Sequence, residues 1–162
     1  MTILSRREWL GGAALAAVAA LLAGATGSAG AKPRFALTLT DADWKKRLSP
    51  AAYAVLRHEA TERAGSSPLD REHRRGIFAC AGCGQLLFLS TAKFESGTGW
   101  PSFWAPIKGS VGTSTDFKLG LPRTAVFCSR CGGHLGHVFD DGPPPTGKRY
   151  CMNGVALKFR PA

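Results

Sequence analysis

Five cysteines carry most of the chemistry open to this sequence, and their spacing divides them four and one. Cys80-Ala81-Gly82-Cys83 and Cys128-Ser129-Arg130-Cys131 are both C-x-x-C knuckles, whereas Cys151 stands alone in Lys148-Arg149-Tyr150-Cys151-Met152-Asn153-Gly154. Two knuckles make one tetrahedral four-thiolate zinc site, because each short loop aims two sulfurs at the same ion about 2.3 Å away. The competing assignment is a pair of disulfides. Glycines favour the metal: Gly82 and Gly84 surround the first knuckle, and Gly132 and Gly133 follow the second, as tight metal loops require. The spacing therefore predicts one structural zinc per chain on Cys80, Cys83, Cys128 and Cys131. That leaves Cys151. A leftover thiol is a candidate nucleophile, or it is a small buried hydrophobe, the commoner fate of a lone cysteine. Spacing alone leaves both open.

Two further stretches concentrate functional side chains. His134-Leu135-Gly136-His137-Val138-Phe139 follows the second knuckle directly. Four cysteines already fill a tetrahedral site, so metal ligation by these histidines is disfavoured, and buried core histidines are the plain alternative. Gly97-Thr98-Gly99-Trp100-Pro101-Ser102-Phe103 sets two aromatics on a glycine-proline loop. A core tryptophan is the ordinary assignment, but the stiff loop also suits a pocket wall.

The elements that must position these residues lie within 162 residues, room for one domain behind a leader. Ser5-Arg6-Arg7-Glu8-Trp9-Leu10 carries twin arginines before an uncharged, Ala- and Gly-rich stretch from Leu10 to Ala25. This stretch is too weakly apolar for a convincing membrane span, and Ala29-Gly30-Ala31 offers a small-x-small cleavage pattern. Residues 1–31 look like a bacterial twin-arginine export signal, with an uncleaved anchor as the alternative. The expectation is a mature domain of residues 32–162 in the periplasm, with no stable membrane anchor. Export of an already folded protein would let the four cysteines load metal before meeting oxidants.

Thr40 is placed to cap a helix through Asp41, Asp43, Trp44 and Leu48, and Ser49-Pro50 marks a second start. Ala64 to Arg75 reads as a loop. Beyond Gly76, short apolar runs broken by glycine and proline predict strands at Ile77–Ala79, Leu86–Leu89, Phe103–Ala105, Thr124–Phe127, Val138–Phe139 and Val155–Phe159. The fold class expected is mainly β, with short N-terminal helices before a compact antiparallel core. The net charge of +10 is scattered, with Lys45-Lys46-Arg47 and Arg74-Arg75 as short clusters. A solvated basic surface explains this better than a nucleic-acid partner.

From about Leu39 to Phe159 the chain resembles the peptide-methionine (R)-S-oxide reductases, the B-type methionine sulfoxide reductases. The matching stretches are Trp44, Arg57 and Thr61-Glu62-Arg63, both knuckles, Lys93 to Phe103, His134 to Pro143, and Arg149 to Asn153. The resemblance implies two small antiparallel sheets, a structural zinc away from the active site, and reduction of the R epimer of methionine sulfoxide. It makes Cys151 the nucleophile and His137, with His134 beside it, the proton donor. Asn153 becomes an orienting residue, and Trp100 the wall for the methyl on sulfur, with Phe103 and Arg149 also at the substrate. Implied partners are oxidised methionines in proteins and a thioredoxin-like or small-molecule thiol. Thr98 stands where many members carry the cysteine that resolves a sulfenic acid, which implies reduction by an external thiol. Gly154 stands where serine is usual. A zinc-ribbon-like binding module without catalysis would explain the knuckles, but not Cys151 or the histidine pair.

Overall fold

The computed structural model describes residues 34–118 and 120–162, so the expected leader lies outside the described residues. Helix α1 (Asp41–Arg47) starts where the sequence sets its cap: the Thr40 side chain accepts the Asp43 N–H at 3.2 Å. Ser49 does the same for α2 (Pro50–His58), accepting from Ala52 N–H at 3.2 Å. Trp44, Ala52, Val55 and Leu56 are the buried faces of these helices. No helix of the described residues is long and apolar enough to cross a membrane.

Among the described residues nine strands follow: β1 (Gly76–Cys80), β2 (Leu86–Leu89), β3 (Lys93–Phe94), β4 (Ser102–Phe103), β5 (Val111–Asp116), β6 (Arg123–Cys128), β7 (His134–Phe139), β8 (Arg149–Met152) and β9 (Leu157–Pro161). They form two antiparallel sheets, a three-stranded one in the order β2-β1-β9 and a six-stranded one in the order β3-β4-β8-β7-β6-β5. The mainly β, two-sheet expectation holds. Strands β3, β5 and β8 were not expected. In β5, Thr113, Ser114 and Thr115 are all exposed, so no apolar alternation announces the strand. The predicted strand at Val155 begins only at Leu157, because Gly154–Ala156 turns as a short 3-10 helix and buries Ala156 instead. Phe103–Ala105 is strand only at Phe103, and Pro68–Arg71 inside the expected loop is a 3-10 turn.

The core fills the space between the sheets. Phe78 and Phe88 come from the small sheet and Phe103 from the large one, all fully buried. Phe88 and Phe103 stack at 4.3 Å, and Phe78 meets Phe103 edge-on at 4.9 Å. Burying each such ring contributes roughly 1.5–3 kcal/mol. Phe103 was expected beside Trp100 at the substrate. It is a core residue instead, because its strand neighbour Ser102 takes the other face of the sheet.

Candidate active site

Antiparallel register lines the site up. Ala125, His137, Cys151, Ser102 and Phe94 are successive partners across β6, β7, β8, β4 and β3, so their side chains share one face. The next row, Val138, Tyr150 and Phe103, turns to the core. A Cβ on Gly136 would lie 2.1 Å from the Cys151 carbonyl oxygen, so only glycine fits there.

Above Cys151 is a cleft of about 160 Å³, walled by Trp100, His137, Phe139, Thr61, Arg123 and Asn153, with Gly136 at its floor. Trp100 is fixed by its indole N–H, which donates to the Glu62 carbonyl at 3.2 Å. Asn153 is 3 % exposed. Its Oδ1 accepts the Glu62 N–H at 2.9 Å and its Nδ2 donates to the Leu135 carbonyl at 3.0 Å. The Asn153 amide thus ties the Thr61-Glu62 wall to β7. Glu62 closes the circle by accepting the backbone N–H groups of Gly154 and Val155.

His137 Nε2 lies 2.7 Å from Asp116 Oδ2, and the same carboxylate takes Arg123 at 2.6 Å. The Lys118 backbone N–H, then His137 and Arg123, hold Asp116 well below the usual carboxylate range. His134 reaches the same side of the sheet only because β7 carries a bulge. Gly136 pairs with Val126 and His134 with Phe127, which leaves Leu135 unpaired. Regular strand would put residues three apart on opposite faces; here the two rings sit 5.3 Å apart. His134 is buried, does not line the cleft, and has no partner for Nε2. Burial, then the nearby His137, lowers its pKa to about 4, so it is neutral at pH 7.

Burial pushes the Cys151 thiol up, outweighing the pull of the Thr98 hydroxyl and the Arg149 guanidinium toward thiolate. Thr98 Oγ1 lies 3.8 Å from Cys151 Sγ, and Ser96 links it to Ser102 through hydroxyl contacts of 2.8 and 2.7 Å. Arg149 is outside the cleft. It forms a two-pronged pair with Asp141, at 2.9 and 2.8 Å, and lies over the Phe139 ring at 4.5 Å. Asp116 and Arg123 carry no expectation from the sequence. Their signal was an acid and an arginine flanking the Gly120-Leu121-Pro122 turn of a polar hairpin.

The four knuckle cysteines cluster. Their Sγ atoms all lie within 4.8 Å of one another, with Cys80–Cys131 at 3.8 Å and Cys83–Cys128 at 3.5 Å. Four sulfurs about 2.3 Å from one ion sit about 3.8 Å apart, so the donor set fits a tetrahedral metal. Both knuckles use the same turn. Gly84 N–H bonds the Cys80 carbonyl and Gly132 N–H the Cys128 carbonyl, each at 2.9 Å, with φ of 75° and 68° that favour glycine. Arg57 braces the second by donating to the Cys131 carbonyl at 3.2 Å while stacking on Trp44 at 4.9 Å. None of the four lines the cleft.

A sheet-mounted thiol under an indole and an imidazole, beside a four-cysteine knuckle pair, places this chain among small mainly β proteins with a cysteine-centred site. The protein-family model described as the SelR domain matches residues 48–161, and the chain belongs to that family. It is 52% identical over 122 residues to the "Peptide methionine sulfoxide reductase MsrB" of Leptospira interrogans serovar Lai, covering 75% of this chain and 93% of that protein. Identity is 53% over 123 residues with the protein of that name from Bradyrhizobium diazoefficiens, covering 75% and 88%. It is 52% over 126 residues with that from Methanosarcina barkeri, covering 77% and 89%.

Proposed function

We propose that the protein is a methionine sulfoxide reductase that acts on the R epimer through a Cys151 sulfenic acid. The observation that carries this is the pairing of His137 with Cys151 across β7 and β8, under the Trp100 wall of the same cleft. Pockets for drug-sized ligands run to about 300–1,000 Å³; a cleft of about 160 Å³ suits one side chain. Trp100 and Phe139 offer apolar walls to the methyl and methylene groups on the sulfoxide sulfur.

Cys151 attacks in its thiolate form, which Thr98 and Arg149 favour against burial, because a soft nucleophile suits sulfoxide sulfur. The sulfoxide oxygen gains a proton, and His137, oriented by Asp116, is its donor. His134, off the cleft and neutral, is not the donor. The net step converts sulfoxide and thiol to thioether and sulfenic acid: methionine sulfur gains two electrons and Cys151 sulfur loses two. Asn153 holds the cleft wall. A zinc ion on Cys80, Cys83, Cys128 and Cys131 would serve stability, since metal binding contributes folding energy directly. Thr98 cannot form a disulfide, so an external thiol reduces the sulfenic acid. Oxidised methionines in proteins are the substrates.

Purified mature protein with dithiothreitol should turn over methionine-R-sulfoxide and leave the S epimer untouched. Equal rates on both epimers, or none on either, would contradict this function.

The same proposal puts the mature chain, from near Lys32, in the periplasm by the twin-arginine route of Arg6 and Arg7. N-terminal sequencing of the cellular protein that returned an intact leader would count against it.

A further inference from the structure

Among the described residues, the two most exposed large apolar side chains are Phe117, 67% exposed, and Leu121, 73% exposed. Both stand at the tip that joins β5 to β6, where the Gly120 N–H donates to the Phe117 carbonyl at 3.0 Å. Single exposed leucines are ordinary on a protein surface; two large apolar side chains on one tip mark a contact surface.

The tip is continuous with the cleft over Cys151. Asp116 and Arg123 close the hairpin as cross-strand partners. Arg123 lines the cleft, and Asp116 holds His137 at 2.7 Å. Phe117 follows Asp116 directly and Leu121 stands two residues before Arg123, and two residues of chain span at most about 7 Å. The tip is also tied to the segment after α2. Lys118 pairs with Glu59 at 2.6 Å, and Thr61, two residues beyond Glu59, is part of the cleft wall. Asp116 with Arg123 and Lys118 with Glu59 are balanced pairs, so this stretch of the rim presents apolar surface rather than net charge.

A cleft of about 160 Å³ takes one side chain and leaves its neighbours in the chain outside. In an extended segment those neighbours follow at about 3.3 Å per residue, within reach of the tip. Methionine is most often a buried residue, and its oxidation disrupts the core around it. Oxidised methionines are therefore presented in loosened chain among apolar residues.

We propose that Phe117 and Leu121 dock apolar residues flanking the oxidised methionine, so that the β5–β6 tip selects extended, apolar segments of substrate protein. This rests on the reductase function proposed above and adds to it a preference in sequence context. The occupant is a loosened polypeptide with an aliphatic or aromatic residue within two positions of the sulfoxide. The tip contributes to binding and takes no part in the chemistry at Cys151, so it acts through KM.

The test compares three substrates in the presence of dithiothreitol. One is methionine-R-sulfoxide capped as the N-acetyl amide. The others are five-residue peptides with a central methionine-R-sulfoxide, flanked by leucines or by serines. The unsubstituted protein should favour the leucine peptide over the serine peptide in kcat/KM by at least about fivefold, the scale of one partly buried apolar side chain. Phe117→Ser combined with Leu121→Ser should bring that ratio close to one, through KM, and leave kcat/KM on the capped amino acid unchanged. Leu89→Ser, which removes an exposed leucine from the small sheet, should keep the full ratio. Absence of a preference in the unsubstituted protein, its persistence in the double variant, or its loss in Leu89→Ser would overturn the proposal. So would slower turnover of the capped amino acid by the double variant, since the tip would then act through Asp116 and His137 rather than by docking. A dimer that the double variant breaks, with the peptide ratio unmoved, would give the tip to a second copy of the chain and overturn it too. Failure of the unsubstituted protein to turn over any of the three substrates would instead remove the underlying reductase function.

Discussion

Asp116 and His137 are joined by a 2.7 Å contact between Oδ2 and Nε2, and that contact ties the β5–β6 hairpin to the strand that faces Cys151. Asp116→Asn should keep the fold's shape but free the imidazole. Sulfoxide reduction should then slow by roughly 10²-fold, the scale of a misplaced catalytic group. The variant carrying both Asp116→Asn and His137→Ala should lose no more than His137→Ala alone, because the two act as one unit. Additive losses in stopped-flow rates would show that Asp116 acts independently. The depressed Asp116 pKa also sets a sign. Its stabilisation is full above the ordinary carboxylate range and is lost only as pH falls through the lowered value.

Gly136→Ala should damage both stability and activity. The added methyl would lie 2.1 Å from the Cys151 carbonyl oxygen, so β7 and β8 must part at the nucleophile. The cost is about 1–3 kcal/mol for a forced insertion. Urea unfolding checks the first effect, and single-turnover rates of the folded variant check the second. Wild-type values in both would mean that the strands tolerate wider spacing.

Gly154 is matched by Ser67. A Cβ at 154 would lie 2.0 Å from Ser67 Oγ, so the space that a serine would need is already filled. Ser67 Oγ meanwhile accepts the Leu69 N–H at 3.2 Å and caps the 3-10 turn. Gly154→Ser alone should destabilise by about 1–3 kcal/mol. Adding Ser67→Gly should recover a large part of that loss. A double-mutant cycle with no coupling energy would contradict the match.

His134 should make the protein acid-sensitive. It is neutral when folded, with a pKa of about 4, against an ordinary value near 6.5. Between those values the unfolded chain binds a proton that the folded chain does not. Stability is therefore full above about pH 6.5 and falls toward pH 4, by about 3 kcal/mol. His134→Gln should flatten that slope in urea unfolding at stepped pH. An unaltered slope would mean that the imidazole takes up its proton without cost.

Much of this architecture is legible in the sequence where local chemistry decides it. Thr40 and Ser49 cap their helices as their residue types dictate, and the knuckle glycines mark the two turns that gather four sulfurs. What escapes is set by partners distant in the chain. Strand β5 is nearly all polar and exists because β6 pairs with it, and with it came Asp116 and Arg123. Phe103 shares a glycine-proline loop with Trp100 and reads as a substrate residue, but the pleat sends it to the core while Ser102 faces Cys151. The histidines read as a pair, yet only the bulge at Leu135 puts both on one face, and burial then separates their chemistry.

The most direct measurement is peptide mapping after one equivalent of methionine-R-sulfoxide, in the absence of reductant. One methionine should form per chain, Cys151 alone should label with a sulfenic-acid probe, and Cys80, Cys83, Cys128 and Cys131 should remain reduced. Cys151→Ser should form none. Methionine formation by that variant, or a disulfide between Cys151 and any knuckle cysteine in the unsubstituted protein, would contradict a single-cysteine site separate from the metal cluster.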